Sequence, residues 1–266
     1  MKKLWMTLTE KNVICGYLYF YIHFVTEILC FFFLMKVTSG LNFVWLIPFF
    51  YDGMAFVPQA IIGRISDRYP KIDFSIIGML LMVVAYLMQF LFHFPLYLAL
   101  FLLCIGNGCV HINGAEVTLK SSNGKLSHSA IFVAGGSFGV ISGRLLAKGF
   151  LPYWAIIILA FTTIPYILLA KKYVSDDDNC DGFDYVKKSI SPGIAIVLAV
   201  FVVVIRGYMG YGIPTSWNKT VFQNVVFFCI MGFGKAARWN IIRLDRYKKS
   251  SIFKYNICNT FFMYWR

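Results

Sequence analysis

Charge is what this sequence has least of. Only 14% of its 266 residues are Asp, Glu, Lys or Arg, and acidic residues number 12 against 25 basic ones. A soluble domain carries about 25% charged and about 45–50% apolar residues, whereas here 59% are hydrophobic. A globule of this size cannot hide so large an apolar share, which excludes a soluble enzyme and a disordered chain. Paired cysteines are also missing. The seven cysteines at 15, 30, 104, 109, 180, 229 and 258 include no CxxC and mostly sit in apolar runs, so neither a disulfide framework nor a zinc site is expected. There is no GxxxxGK[ST], no HExxH, no catalytic-triad context and no metal-ligand cluster by spacing, so no enzyme activity and no cofactor are expected. The first apolar run is too long for a cleavable signal core and carries Glu27 in its middle.

What the sequence has is length of apolar run. A bilayer crossing takes about 20 mostly apolar residues, and eight segments qualify: 13–35, 42–62, 74–92, 95–118, 129–147, 152–170, 192–213 and 220–236. They lack the alternation of barrel strands, and backbone in lipid must satisfy its own hydrogen bonds. The expected fold is therefore an all-α integral membrane protein of about eight transmembrane helices, multi-pass, with the lipid bilayer as its main partner. Basic residues fix the expected orientation. With residue 1 inside, the inner loops hold Lys2, Lys3, Lys11, Arg64, Arg68, Lys71, Lys120, Lys125, Lys171, Lys172, Lys187 and Lys188; the outer loops hold only Lys36, Lys148 and Lys219. That bias predicts a cytoplasmic N-terminus in a plasma (inner) membrane. The basic excess thus reports topology, and the apolar runs between charges argue against a nucleic-acid partner. Asn218-Lys219-Thr220 reads as a chance glycosylation match.

The loop expected after the second segment reads Gly63-Arg64-Ile65-Ser66-Asp67-Arg68-Tyr69-Pro70-Lys71. At this position it resembles the motif of the major facilitator superfamily, with Pro70 where that family usually has glycine. The resemblance implies roles for Gly63, Asp67, Arg68 and Lys71: close helix approach at Gly63, and at Asp67 a helix cap paired to a basic residue as a cytoplasmic latch. In the fifth segment, Gly135, Gly139 and Gly143 recur every four residues, a helix-packing face. It is similar to the glycine-rich fifth helix of that superfamily, which packs against the eighth-helix region. The resemblance divides the chain into a six-helix bundle at 1–170, a cytoplasmic linker at 171–191, and helices seven and eight at 192–237. It implies secondary transport of a small solute by alternating access.

Ionisable residues inside apolar segments are the candidates for the coupling or substrate cavity: His23 and Glu27, Asp52, His111 and Glu116, and Arg206. Even on lenient scales a mid-bilayer charge costs about 2.5–3.5 kcal/mol, so such groups face a cavity or a partner. His23 and Glu27 are four apart and share a helix face. The carboxylates suit proton uptake, the histidines a proton relay, and Arg206 a counter-charge or an anion contact. A buried structural pair between Arg206 and a carboxylate is the plainer alternative.

Residues 238–266 have no apolar periodicity and carry seven basic residues and one acidic. Synonymous codons for this tail, read one base later, can encode a second G-x-L-S-D-x-x-G-x-R-K followed by an apolar run. The expectation is an out-of-frame tail on a chain truncated after the eighth helix, which would move little or no solute. A basic tail on anionic headgroups is the alternative. Two other function classes remain open at this point: a membrane-embedded lipid-modifying enzyme, and a non-catalytic subunit of a split transporter.

Overall fold

The computed structural model describes residues 11–38, 46–121, 126–149 and 151–172, together with 194, 197, 198, 201, 220, 222, 223, 225, 226, 229, 230 and 232–235. The described residues form helices and turns, with no strand among them. In chain order the helices are α1 (Lys11–Thr38), α2 (Leu46–Phe56), α3 (Gln59–Arg68), α4 (Phe74–Tyr86) with a π-helical turn at Leu87–Leu91, α5 (Leu96–Ser121), α6 (Leu126–Lys148), α7 (Tyr153–Phe161) and α8 (Thr163–Lys171). Five stretches are long and apolar enough to cross a membrane: Ile14–Val37, Phe74–Leu91, Leu96–Ser121, His128–Lys148 and Tyr153–Lys171. They match the first, third, fourth, fifth and sixth segments expected from hydropathy, the pattern of a multi-pass membrane protein. Most of the linker at 171–191, most of the segment at 192–213, Arg206 and the tail at 238–266 lie outside the described residues.

The second segment differs from expectation in two ways. It is broken at Val57–Pro58 into α2 and α3, because proline supplies no backbone donor and crowds the preceding turn. The Gln59 side chain donates to the Ala55 carbonyl at 3.1 Å and mends part of the break. The helix then runs on to Arg68, so Gly63 to Arg68 form its last turns and are not a loop. Hydropathy ends the segment too early here, since a helix continues beyond the apolar zone wherever one side still packs. Ile62 and Ser66 are buried on that side. The sixth segment also bends, at Thr162 between α7 and α8. Pro165 leaves carbonyls unbonded in the turn before it, and the Thr162 and Thr163 hydroxyls donate to Leu159 and Ala160 oxygens at 2.6 and 2.7 Å.

The core helix is α1. Within its spanning window 78% of the residues are buried, against 28% for Tyr153–Lys171 at the periphery, where Trp154, Ile158, Phe161 and Leu168 turn outward. Large apolar side chains turned outward suit hydrocarbon. Around α1 pack α6 most closely, then α5 and α8. The contact between α1 and α6 is made by glycine. A Cβ added at Gly135, Gly139 or Gly143 would lie 2.2, 2.4 or 2.8 Å from the carbonyl oxygens of Phe20, Phe24 and Ile28, respectively. The two ladders have the same four-residue spacing, so backbone lies on backbone over two turns. This differs from the placement the resemblance implied. The glycine stripe faces α1, and the eighth segment touches α6 beside it, where Phe138 meets Phe233 at 5.5 Å between ring centroids and Lys235 donates to Ser137 Oγ at 2.7 Å.

Candidate functional site

Three ionisable side chains meet inside the bundle. His23 and Glu27 lie on consecutive turns near the middle of α1, and His111 lies past the middle of α5. Glu27 Oε1 is 3.4 Å from His23 Nε2 and 3.8 Å from His111 Nε2. His23 and Glu27 are buried and His111 nearly so, with side-chain exposures of 5%, 9% and 16%. The imidazole rings contact edge to face at 4.6 Å, and Phe132 and Phe56 pack around them.

The tautomers follow from the hydrogen bonds. His23 Nδ1 lies 2.8 Å from the Phe132 carbonyl oxygen, and His111 Nδ1 lies 3.1 Å from that of Asn107. A carbonyl oxygen only accepts, so each Nδ1 carries a proton and donates, and each ring in its neutral form presents a lone pair at Nε2. Both Nε2 atoms face the same carboxylate oxygen. His23 Nε2 is buried and makes no hydrogen bond. Two ring nitrogens and a carboxylate oxygen thus converge on one small buried volume.

Local packing explains the position of His23. A Cβ on Gly136 would sit 2.4 Å from its Cε1, so that glycine opens the notch the ring occupies, next to the stripe that joins α1 to α6. Below His111, Asn107 Nδ2 donates to the Tyr51 hydroxyl, tying α5 to α2.

The other expected site residues fall elsewhere. Glu116 is on α5 but does not join the group: Ser66 Oγ donates to its Oε2 at 3.2 Å and Lys120 Nζ to its Oε1 at 2.7 Å. It is the partly exposed anchor of an end of the bundle. Asp52 is half-buried on α2, one residue from Tyr51. In the motif region Asp67, Arg68 and Lys71 are exposed. Gly63 does not mediate a close approach, since an added Cβ would meet only Ile112 Cδ1 at 3.8 Å. On the facing helix Gly108 does so, 3.1 Å from the Ala55 carbonyl oxygen by the same measure.

The cap and ion pair expected of Asp67 are made by Asp73. Its Oδ1 accepts from the Ser75 and Ile76 amides at 2.9 and 3.2 Å, capping α4. Its Oδ2 is 3.0 Å from Lys171 Nζ at the end of α8. Asn113 on α5 donates from Nδ2 toward Ser75 Oγ, Tyr19 Oη and Asp73 Oδ1, at 2.8, 3.0 and 3.2 Å. Four helices are thus joined at one end. The signal was present in the sequence, an aspartate directly before an apolar helical run.

No family model, curated protein or solved structure matches this chain.

Proposed function

We propose that the chain is of a kind built for transmembrane transport of a small solute by alternating access, of the major facilitator type, with residues 1–170 as its first six-helix bundle and the N-terminus on the cytoplasmic side of the plasma membrane; the proposal concerns that design and not the turnover of this chain by itself. The observation that carries this reading is the His23–Glu27–His111 group, three ionisable side chains brought together at mid-length in α1 and α5. Such groups are too costly at that depth to serve as filler, and in membranes they mark ion or solute paths. Glu27 is the residue to which a transported proton would bind, and His23 and His111 stabilise the charge that moves with it. Asp73 with Lys171 is the ion pair that would break and re-form as the end of the bundle opens. Lys171, Arg68 at the end of α3 and Lys71 in the turn after it share that end, which supports the expected orientation.

A transport cavity must be reached by water, whereas a structural pair sealed in lipid need not be. The test is reaction of His111→Cys with a charged, membrane-impermeant maleimide, in intact cells and in inverted vesicles, read at that site by peptide mass spectrometry. Modification from an aqueous face supports the transport reading. A thiol at 111 that reacts only after the protein is denatured overturns it.

A further inference from the structure

We infer that His23, Glu27 and His111 form a binding site for a divalent transition-metal ion of the zinc class. The assignment does not rest on the transport reading, because the same three side chains would hold the ion in a closed bundle or in a carrier. It rests on three features of the group. The first is ligand chemistry: two neutral imidazoles and one carboxylate are a donor set that borderline divalent ions prefer. They come from facing helices, as in bundles whose metal sites are built from inward-projecting Glu and His.

The second feature is ligand orientation. A metal-ligating histidine donates its other ring N–H to a carbonyl or carboxylate, which fixes the tautomer and aims the lone pair. Both histidines already do this through Phe132 and Asn107. His23 Nε2, deeply buried and without a hydrogen bond, is aimed into the group. The third feature is size. With metal–ligand distances of about 2.0–2.2 Å, two ligands of a tetrahedral ion are separated by about 3.3–3.5 Å. The His23–Glu27 edge is 3.4 Å and the His111–Glu27 edge 3.8 Å. All three ligand atoms lie within 4.8 Å of one another, so a modest swing of His111, the more exposed of the two rings, closes the triangle. Three protein ligands leave a fourth position for water or an anion. Sequence spacing could not show this site, because the third ligand arrives from a different helix.

The experiment is titration of the purified 266-residue chain in detergent with Zn2+ against a chromophoric chelator, together with zinc X-ray absorption on the loaded protein. The expected result is one tight site with only nitrogen and oxygen neighbours, weakened at least about a hundredfold in E27Q and in H111Q, beyond what loss of an outer-shell partner costs. E116Q, on the same helix but already engaged by Lys120 and Ser66, should bind like the unmodified chain. The absorption spectrum needs no variant, so it decides even if H111Q fails to fold. Sulfur neighbours, unchanged affinity in both E27Q and H111Q, equal loss in E116Q, or no binding at micromolar Zn2+ would each overturn the assignment.

Discussion

The glycine stripe between α1 and α6 gives a graded prediction. A methyl carbon and a carbonyl oxygen approach to about 3.3 Å at closest. Alanine at 135, 139 or 143 would start 2.2, 2.4 or 2.8 Å from such an oxygen, so the helices must part by about 1.1, 0.9 and 0.5 Å respectively. The oxygens belong to the α1 backbone and cannot swing aside as a flexible side chain would. A gap of 0.5–1 Å forfeits about a quarter to a half of each dispersion contact along the seam, and overpacking of this kind costs about 1–3 kcal/mol. Replacing helical glycine by alanine returns about 0.8–1.0 kcal/mol in propensity. The expected net loss is about 2 kcal/mol for G135A, slightly less for G139A, and near zero to about 1 kcal/mol for G143A.

Gly53 supplies the control. An added Cβ there meets nothing within 4 Å, so G53A should be neutral or stabilise by up to about 1 kcal/mol. G63A should behave like G53A, since its nearest contact is at an ordinary 3.8 Å. The assay is reversible unfolding in mixed micelles with increasing SDS, followed by far-UV circular dichroism. The packing described above would be refuted if G143A were the most damaging of the three, or if G53A cost as much as G135A.

Two further perturbations test other joints. D73A removes both the α4 cap and the Lys171 pair and should cost about 1–2 kcal/mol in the same unfolding assay. D73N keeps a capping oxygen and should cost well under 1 kcal/mol, because Lys171 is half exposed and its pairing is screened. Equal losses would show that the ion pair, and not the cap, holds the end of the bundle. Y51F leaves Asn107 Nδ2 without the hydroxyl that accepts from it and should destabilise by about 1–3 kcal/mol; a neutral Y51F would show that this buried contact contributes nothing net.

Much of the fold was legible in the sequence because one physical term dominates it. Hydrocarbon demands an apolar run of fixed length, so the edges of α1, α5 and α6 fall within a few residues of where hydropathy puts them. The failures come where another term takes over. Pro58 and Pro165 interrupt hydrogen bonding without altering hydropathy, so the breaks between α2 and α3 and between α7 and α8 were invisible to a composition window. Gly63 to Arg68 read as a loop because polar residues end an apolar run, although they need not end a helix; Tyr69 to Lys71 do lie in the turn. Assigning the cap to Asp67 followed a family pattern. The local rule, an aspartate immediately before Phe74 and its apolar helix, selects Asp73.

The site was half legible for a related reason. Spacing of four places His23 and Glu27 on one face, but it cannot say which distant residue completes the group. That depends on how α1 lies against α5, whereas the Gly136 notch on α6 admits the His23 ring that the group needs. Stability and site geometry should therefore separate on substitution. G136A would put a Cβ 2.4 Å from His23 Cε1, a side-chain atom that can move, so the ring should rotate out of its notch and lose its bond to the Phe132 carbonyl. The expected result is a folded protein with zinc affinity lowered about 10–100-fold, the range for a lost outer-shell partner. G143A, two turns away against Ile28, should leave that affinity unchanged while still showing its small stability cost. If G136A bound zinc like the unmodified chain, the Gly136 notch would not be what aims His23 at Glu27. If G143A weakened binding as much as G136A, the site would answer to bundle stability in general and not to the Gly136 notch.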